Sequence, residues 1–142
     1  MGEIPLRDFL GDDFWAKALA RPKKEGVSDV LAATYDYILD KLGERIDDIQ
    51  ERGDGEGIAI FAEGREILLI NVGIKFLRIY VHPTSGAEFD PRDEFAAERF
   101  RFWDSAYRKT TGKYVGMTFW VSEAPHLEGM KRIIDRIPQK AE

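Results

Sequence analysis

The sequence predicts an α+β domain of two layers, an antiparallel β-meander of about five strands packed by three to four helices. Three observations carry that reading. Apolar residues recur at helical spacing near both ends of the chain, while from Arg45 onward they alternate as in strands, punctuated by Gly53, Gly55, Gly57, Gly64 and Gly73. The links between those strands are too short to return the chain for parallel pairing. The 142 residues, 44% of them hydrophobic, suffice for one packed core and not for two.

The first helix is expected over residues 5–20, with Leu6, Phe9, Leu10, Phe14, Ala18 and Leu19 on its apolar side and Gly11 as its weak point. A charged connector follows at 21–26, so residues 1–26 read as an N-terminal helix and connector and 27–142 as the α+β domain. Ser28 is expected to cap a second helix with Leu31, Tyr35, Ile38, Leu39 and Leu42 on one stripe and Gly43 as its stop. Strands are expected at 46–51, 57–62, 66–72 and 74–82, the last ended by Pro83. Asp90 and Pro91 read as the start of a third helix running to Lys109. Residues 113–121 alternate as a fifth strand. Ser122 is expected to cap a last helix carrying Leu127, Met130, Ile133, Ile134 and Ile137, closed by Pro138.

Period-two alternation divides the sheet into unlike faces. Leu77, Ile79 and Val81 share one side with Val115, Met117, Phe119 and Val121, an aliphatic face for the second and last helices. Phe76, Arg78, Tyr80 and His82 share the other with Tyr114, Gly116, Thr118 and Trp120. The sequence favours coverage of this second face by the first and third helices, which would bring Phe9, Phe14 and Trp15, or Phe95, Phe102 and Trp103, onto it as a small second core. The alternative is a cleft between sheet and third helix, lined by aromatics with Arg78 and His82 as its polar groups.

Chemistry-bearing motifs are few. The absence of cysteine excludes thiol nucleophiles, CxxC redox chemistry and cysteine-ligated metals. No HExxH, EF-hand or GxSxG pattern occurs, and the glycines at 53, 55 and 57 lead into a strand and lack the lysine of a phosphate loop. No cofactor and no metal site is expected, the spaced carboxylates of Asp36 and Asp40 reading as solvated. The two histidines, His82 and His126, would serve as acid and base only if the fold brought one of them to a carboxylate or to the other.

Residues 36–56 hold eight acids against three bases, which accounts for the whole net charge of −5. No global attraction for nucleic acid or for anionic membranes follows. One local exception is the Arg99-Phe100-Arg101-Phe102-Trp103 run with Arg108 and Lys109 beyond it, a mixture of rings and cations suited to single-stranded nucleic acid. An amphipathic helix with buried rings and solvated arginines accounts for the same letters, and is favoured. Opposite charge on the acidic hairpin and on this run would also suit a protein contact or a homodimer. Glu3, Arg7 and Asp8 interrupt the apolar stretch a signal peptide needs, and 67–81 is too short and too polar for a membrane span, so a cytoplasmic protein is expected.

The GIAIFAEGREILLINV hairpin, the FLRIYVHP strand and the closing FWVSEAPHLEGMKRIIDRI segment resemble a group of small bacterial and archaeal domains of unknown function, of the predicted-transport or YdhG-like kind. That resemblance implies an α+β fold and no catalytic residue. The reading that follows is a small binding or protein-interaction module using Phe76, Arg78, Tyr80, His82, Tyr114 and Trp120. The alternatives are a small-molecule enzyme with His82 or His126 as acid or base, and a nucleic-acid-associated accessory domain using Arg99, Arg101, Arg108 and Lys109.

Overall fold

Helices α1 (Asp12–Ala20) and α2 (Val27–Leu42) precede four strands, β1 (Ile46–Arg52), β2 (Gly57–Ala62), β3 (Arg65–Val72) and β4 (Leu77–Val81). After a long excursion come β5 (Arg99–Phe102), the short pair β6 (Tyr107–Arg108) and β7 (Lys113–Tyr114), strand β8 (Met117–Val121) and helix α3 (Leu127–Ile134). The computed structural model describes residues 9–95 and 99–140. The architecture is α+β with an antiparallel sheet, of six strands where about five were expected, in the order β1-β2-β3-β4-β8-β5. β6 and β7 form a separate two-stranded ladder.

One core joins the sheet to the helices. Leu31, Tyr35 and Ile38 of α2, Met130, Ile133 and Ile134 of α3, and Ile70, Leu77, Ile79 and Phe119 of the sheet are buried together. α1 joins the same core through Phe14, Trp15 and Ala18, with the Trp15 ring 5.1 Å from that of Tyr35. The connector after α1 is stitched to the β3–β4 region: Arg21 Nε donates to the Val72 carbonyl at 2.6 Å and the Lys23 N–H to that of Ile74 at 2.8 Å.

Several boundaries differ from expectation for local reasons. The expected start of the first helix at Pro5 lies outside the described residues. α2 begins at Val27 behind Gly26, whose φ of 88° is left-handed, and Ser28 is not its cap; the Ser28 hydroxyl instead donates to the Leu19 carbonyl and ties the two helices together. Ser122 does not cap the last helix either. Glu123 caps a 3-10 turn at Ala124–His126 that leads into α3.

The largest correction concerns residues 91–109, where an edge strand and short turns stand in place of the expected third helix; Ala96, Ala97 and Glu98 lie outside the described residues. Asp90 does have capping chemistry, but it is spent on a single turn, its carboxylate accepting from the Arg92 N–H at 2.8 Å and from the Arg92 side chain. The side-chain bond first, and the backbone bond after it, hold the Asp90 carboxyl down at about 2. Asp93 is drawn to the end of α3 by Arg136, at 2.8 Å and 3.0 Å. Phe100 and Phe102, two residues apart, would point to opposite sides of a helix, whereas on a strand they share a face. They pack against the core while Arg99 and Arg101 project from the other side.

Arg45 fastens the entry to the sheet. Its side chain is 5% exposed, pairs with Glu63 at 2.8 Å and donates to the carbonyls of Ser85 and Pro138 at 2.6 Å and 3.0 Å. The other end of the helical layer is tied by Tyr37, whose hydroxyl donates to the Asp135 carboxylate at 2.5 Å. Partial burial, and after it this bond, push the Tyr37 phenol up from 10.0 to about 12. A raised folded-state value means that the stabilisation is intact below the unfolded pKa of 10.0 and is lost as pH climbs through about 12. Tyr37→Phe is therefore expected to flatten part of the alkaline loss of stability, a change read from urea midpoints measured across that window.

Candidate functional site

Strand register turns the second face of the sheet into a grid. Asn71, Arg78, Trp120 and Arg99 form one row across β3, β4, β8 and β5; Leu69, Tyr80, Thr118 and Arg101 form the next. No helix among the described residues covers these rows, because α1, α2 and α3 all direct their buried side chains into the core on the opposite side. The expected coverage by the first and third helices is thus corrected: α1 packs on α2, and the described residues of 91–109 form no α-helix.

A concavity of about 470 Å³ occupies this open face, lined by Arg78, Tyr80, Thr118 and Trp120 of the sheet together with Arg101, Trp103 and Ser105. Its shape follows from side-chain size. Thr118 is the small residue of its row, standing between Tyr80 and Arg101. Two residues before Thr118, just ahead of β8, is Gly116, whose carbonyl accepts from the Trp103 N–H at 3.1 Å. A Cβ on Gly116 would lie 2.5 Å from Cε3 of Trp103, so the bare glycine is what lets the indole fold across the strand. Trp103 Nε1 then donates to Thr118 Oγ1 at 2.7 Å, and the indole stands 6.4 Å from the Tyr80 ring. Thr118 is the floor, with Tyr80, Trp103 and Trp120 as walls.

The cations of this face are disposed around those rings. Arg99 lies 5.8 Å from the Trp120 ring and 5.9 Å from that of Phe76, a cation–π arrangement at the rim. Arg78 donates from Nη1 to the Tyr80 hydroxyl at 3.2 Å, while its Nε is buried without a hydrogen-bond partner among the described residues. Leaving such a donor unsatisfied costs about 1–3 kcal/mol, more for a charged group. Among the described residues no carboxylate pairs with Arg78, Arg99 or Arg101, whereas Arg45, Arg52, Arg92 and Arg136 each have one. Asp104 stands exposed among the lining residues without an ion pair to any of the three.

Of the six residues expected at the binding face, Arg78, Tyr80 and Trp120 line the concavity and Phe76 sits beside it under Arg99. His82 is one row away, edge-on to Trp103 at 5.9 Å and bonded through Nε2 to Glu66 at 2.8 Å. Glu66 also receives Arg52 at 2.9 Å. Tyr114 is not on this face. The strand expected over 113–121 is broken at Val115, and Tyr114 pairs with Tyr107 in the small ladder and stacks on Phe102, 4.9 Å away and 8° from parallel, against the core.

The residues of the two alternatives are separated. His82 follows Val81 at one end of the β4–β8 pair, and His126 lies beyond the other end, where Leu77 faces Val121. His126 is occupied locally, its Nδ1 accepting from the N–H groups of Ser122 and Glu123. Arg99 and Arg101 stand on the open face, but Arg108 belongs to the β6–β7 ladder and Lys109 to its turn, so the four do not form one stripe. Among the described residues no cluster of His, Asp and Glu could hold a metal ion, and no helix is long and apolar enough to cross a membrane.

Sequence reasoning missed Trp103, Thr118 and Gly116 as parts of a site, and assigned Arg101 to a helix. The signal that could have placed the arginine was the Arg99-Phe100-Arg101-Phe102 alternation, a period of two. No family model, no curated protein and no solved structure matches the chain.

Proposed function

We infer that this protein is a binding module that receives a small ligand in the trough over Thr118. The observation that carries the reading is a shallow, open hollow of about 470 Å³, walled by three aromatic rings and covered by no helix among the described residues. A threonine between bulky neighbours, with an indole folded across a glycine, forms a depression that suits a compact guest lying on the sheet. The His82–Glu66 pair meets the carboxylate condition for acid–base work, but neither residue is among those lining the hollow, and the module is therefore read as non-catalytic. Its kinship is read as that of the YdhG-like domains, on the hairpin, strand and closing helix quoted above.

The three tryptophans provide the test. Titration of ring-bearing fragments, followed by the indole N–H signals in a two-dimensional NMR spectrum, is expected to shift Trp103 and Trp120 and to leave Trp15, buried in the core, in place. Tyr80→Ala and Trp120→Ala are expected to weaken fragment binding while each costs under about 1.5 kcal/mol of stability, against roughly 3–5 for a core aromatic. A core-sized loss in both variants would mean that the rings are structural, and silence of both indoles toward every fragment would end the reading.

A further inference from the structure

We propose that the ligand is a phosphate monoester carried on a planar heteroaromatic ring, a mononucleotide in chemical class; this rests on the trough being the binding site. Two features of the hollow ask for two different parts of one molecule. Trp120, Tyr80 and Trp103 offer ring surface, against which a planar base gains stacking whatever its identity. Arg101 stands opposite Thr118 on β5 and Arg78 lies diagonal to it on β4, opposite Trp120, and neither arginine has a carboxylate partner among the described residues. Thr118 Oγ1 already accepts from Trp103, which leaves its own proton to donate, and Ser105 contributes a second hydroxyl to the lining. Donors arriving from β4, β5 and β8 suit the tetrahedral oxygens of a phosphate better than the two coplanar oxygens of a carboxylate.

A polymer is the poorer fit. Among the described residues the cations of this face that lack a carboxylate partner are confined to β4 and β5; farther along the same rows Arg52 of β1 is already paired with Glu66, and Asp48 lies exposed on the edge strand. A strand of nucleic acid laid across the sheet would leave the unpaired arginines and meet Glu66 and Asp48, which repel it. One phosphate fits within the positive end.

The test titrates AMP, adenosine, inorganic phosphate and an oligouridylate into the full chain, with tryptophan fluorescence and the Trp103 and Trp120 indole signals as readouts. AMP is expected to bind, with adenosine and inorganic phosphate each weaker by roughly tenfold or more, the loss for one charge-assisted contact. Arg101→Gln is expected to lower AMP affinity by about the same factor and to leave adenosine unchanged, and Trp120→Leu to weaken AMP and adenosine together. Equal binding of adenosine and AMP, an AMP affinity indifferent to Arg101→Gln, or an oligouridylate far tighter per nucleotide than AMP would each overturn the proposal. If AMP leaves the two indoles unmoved while neutral or carboxylate fragments shift them, the mononucleotide falls and the binding-module reading stands; if nothing shifts them, both fall.

Discussion

Gly55→Ala is expected to destabilise the protein by roughly 3 kcal/mol, the sum of about 1–2 for a left-handed L-residue and about 1–3 for overpacking. Gly55 has a φ of 82° in the turn between β1 and β2, and a Cβ there would lie 2.6 Å from the Ala18 nitrogen and 2.7 Å from the Lys17 carbonyl carbon. Both obstacles are backbone atoms inside α1, so no rotamer change relieves the clash. Either the hairpin recedes or α1 lifts, and lifting α1 pulls Trp15 from its place beside Tyr35. Gly64→Ala separates the two causes. Its φ of 74° is equally left-handed, yet nothing lies within 4 Å of an added Cβ, so only the conformational part of the cost remains. Urea unfolding of the two variants should differ clearly in midpoint; identical midpoints would show that α1 does not rest on the turn.

The second large effect is expected at Gly116, where alanine acts on stability and on the trough at once. The new methyl would sit 2.5 Å from Cε3 and 3.0 Å from Cζ3 of Trp103, and 3.2 Å from the Ala106 Cβ. Trp103 must swing away, losing its bond to Thr118 and its place beside Tyr80 and His82. Overpacking of this kind costs about 1–3 kcal/mol, and the displaced indole removes one wall of the hollow. Loss of the Trp103 near-ultraviolet signature, a lowered thermal midpoint and weakened ligand binding should appear together. An unchanged Trp103 environment in the variant would mean that the indole does not cross the strand at Gly116.

Much of this was legible in the letters because it is local. The alternation Leu77-Arg78-Ile79-Tyr80-Val81 assigns each side chain to a face once the segment is a strand, and β4 divides as that rule requires. The glycines from Gly53 to Gly57 mark the hairpin that joins β1 and β2. Residues 91–109 were misread because Asp90, Pro91, Asp93 and Glu94 compose a helix start on paper. In the fold the Asp90 and Asp93 carboxylates are occupied by Arg92 and by the distant Arg136, and the downstream rings alternate. Tyr114 was misplaced for a related reason: alternation was carried through Val115, where the chain passes from the β6–β7 ladder into the six-stranded sheet.

The amino-acid sequence by itself determined that one side of the sheet would be aliphatic and the other rich in rings and arginines, since residue spacing and backbone pleat are properties of neighbours along the chain. Which layer each helix joined, that β8 would insert between β4 and β5, and that Trp103 would fold over Gly116 to make a hollow at Thr118 were decided only by the tertiary structure. Those outcomes depend on contacts between segments far apart in the chain, and whether the second face is covered is settled by which competing burial removes the most apolar surface from water. Here the core beneath α1, α2 and α3 took up the helices, and no helix among the described residues covers the ring-rich face.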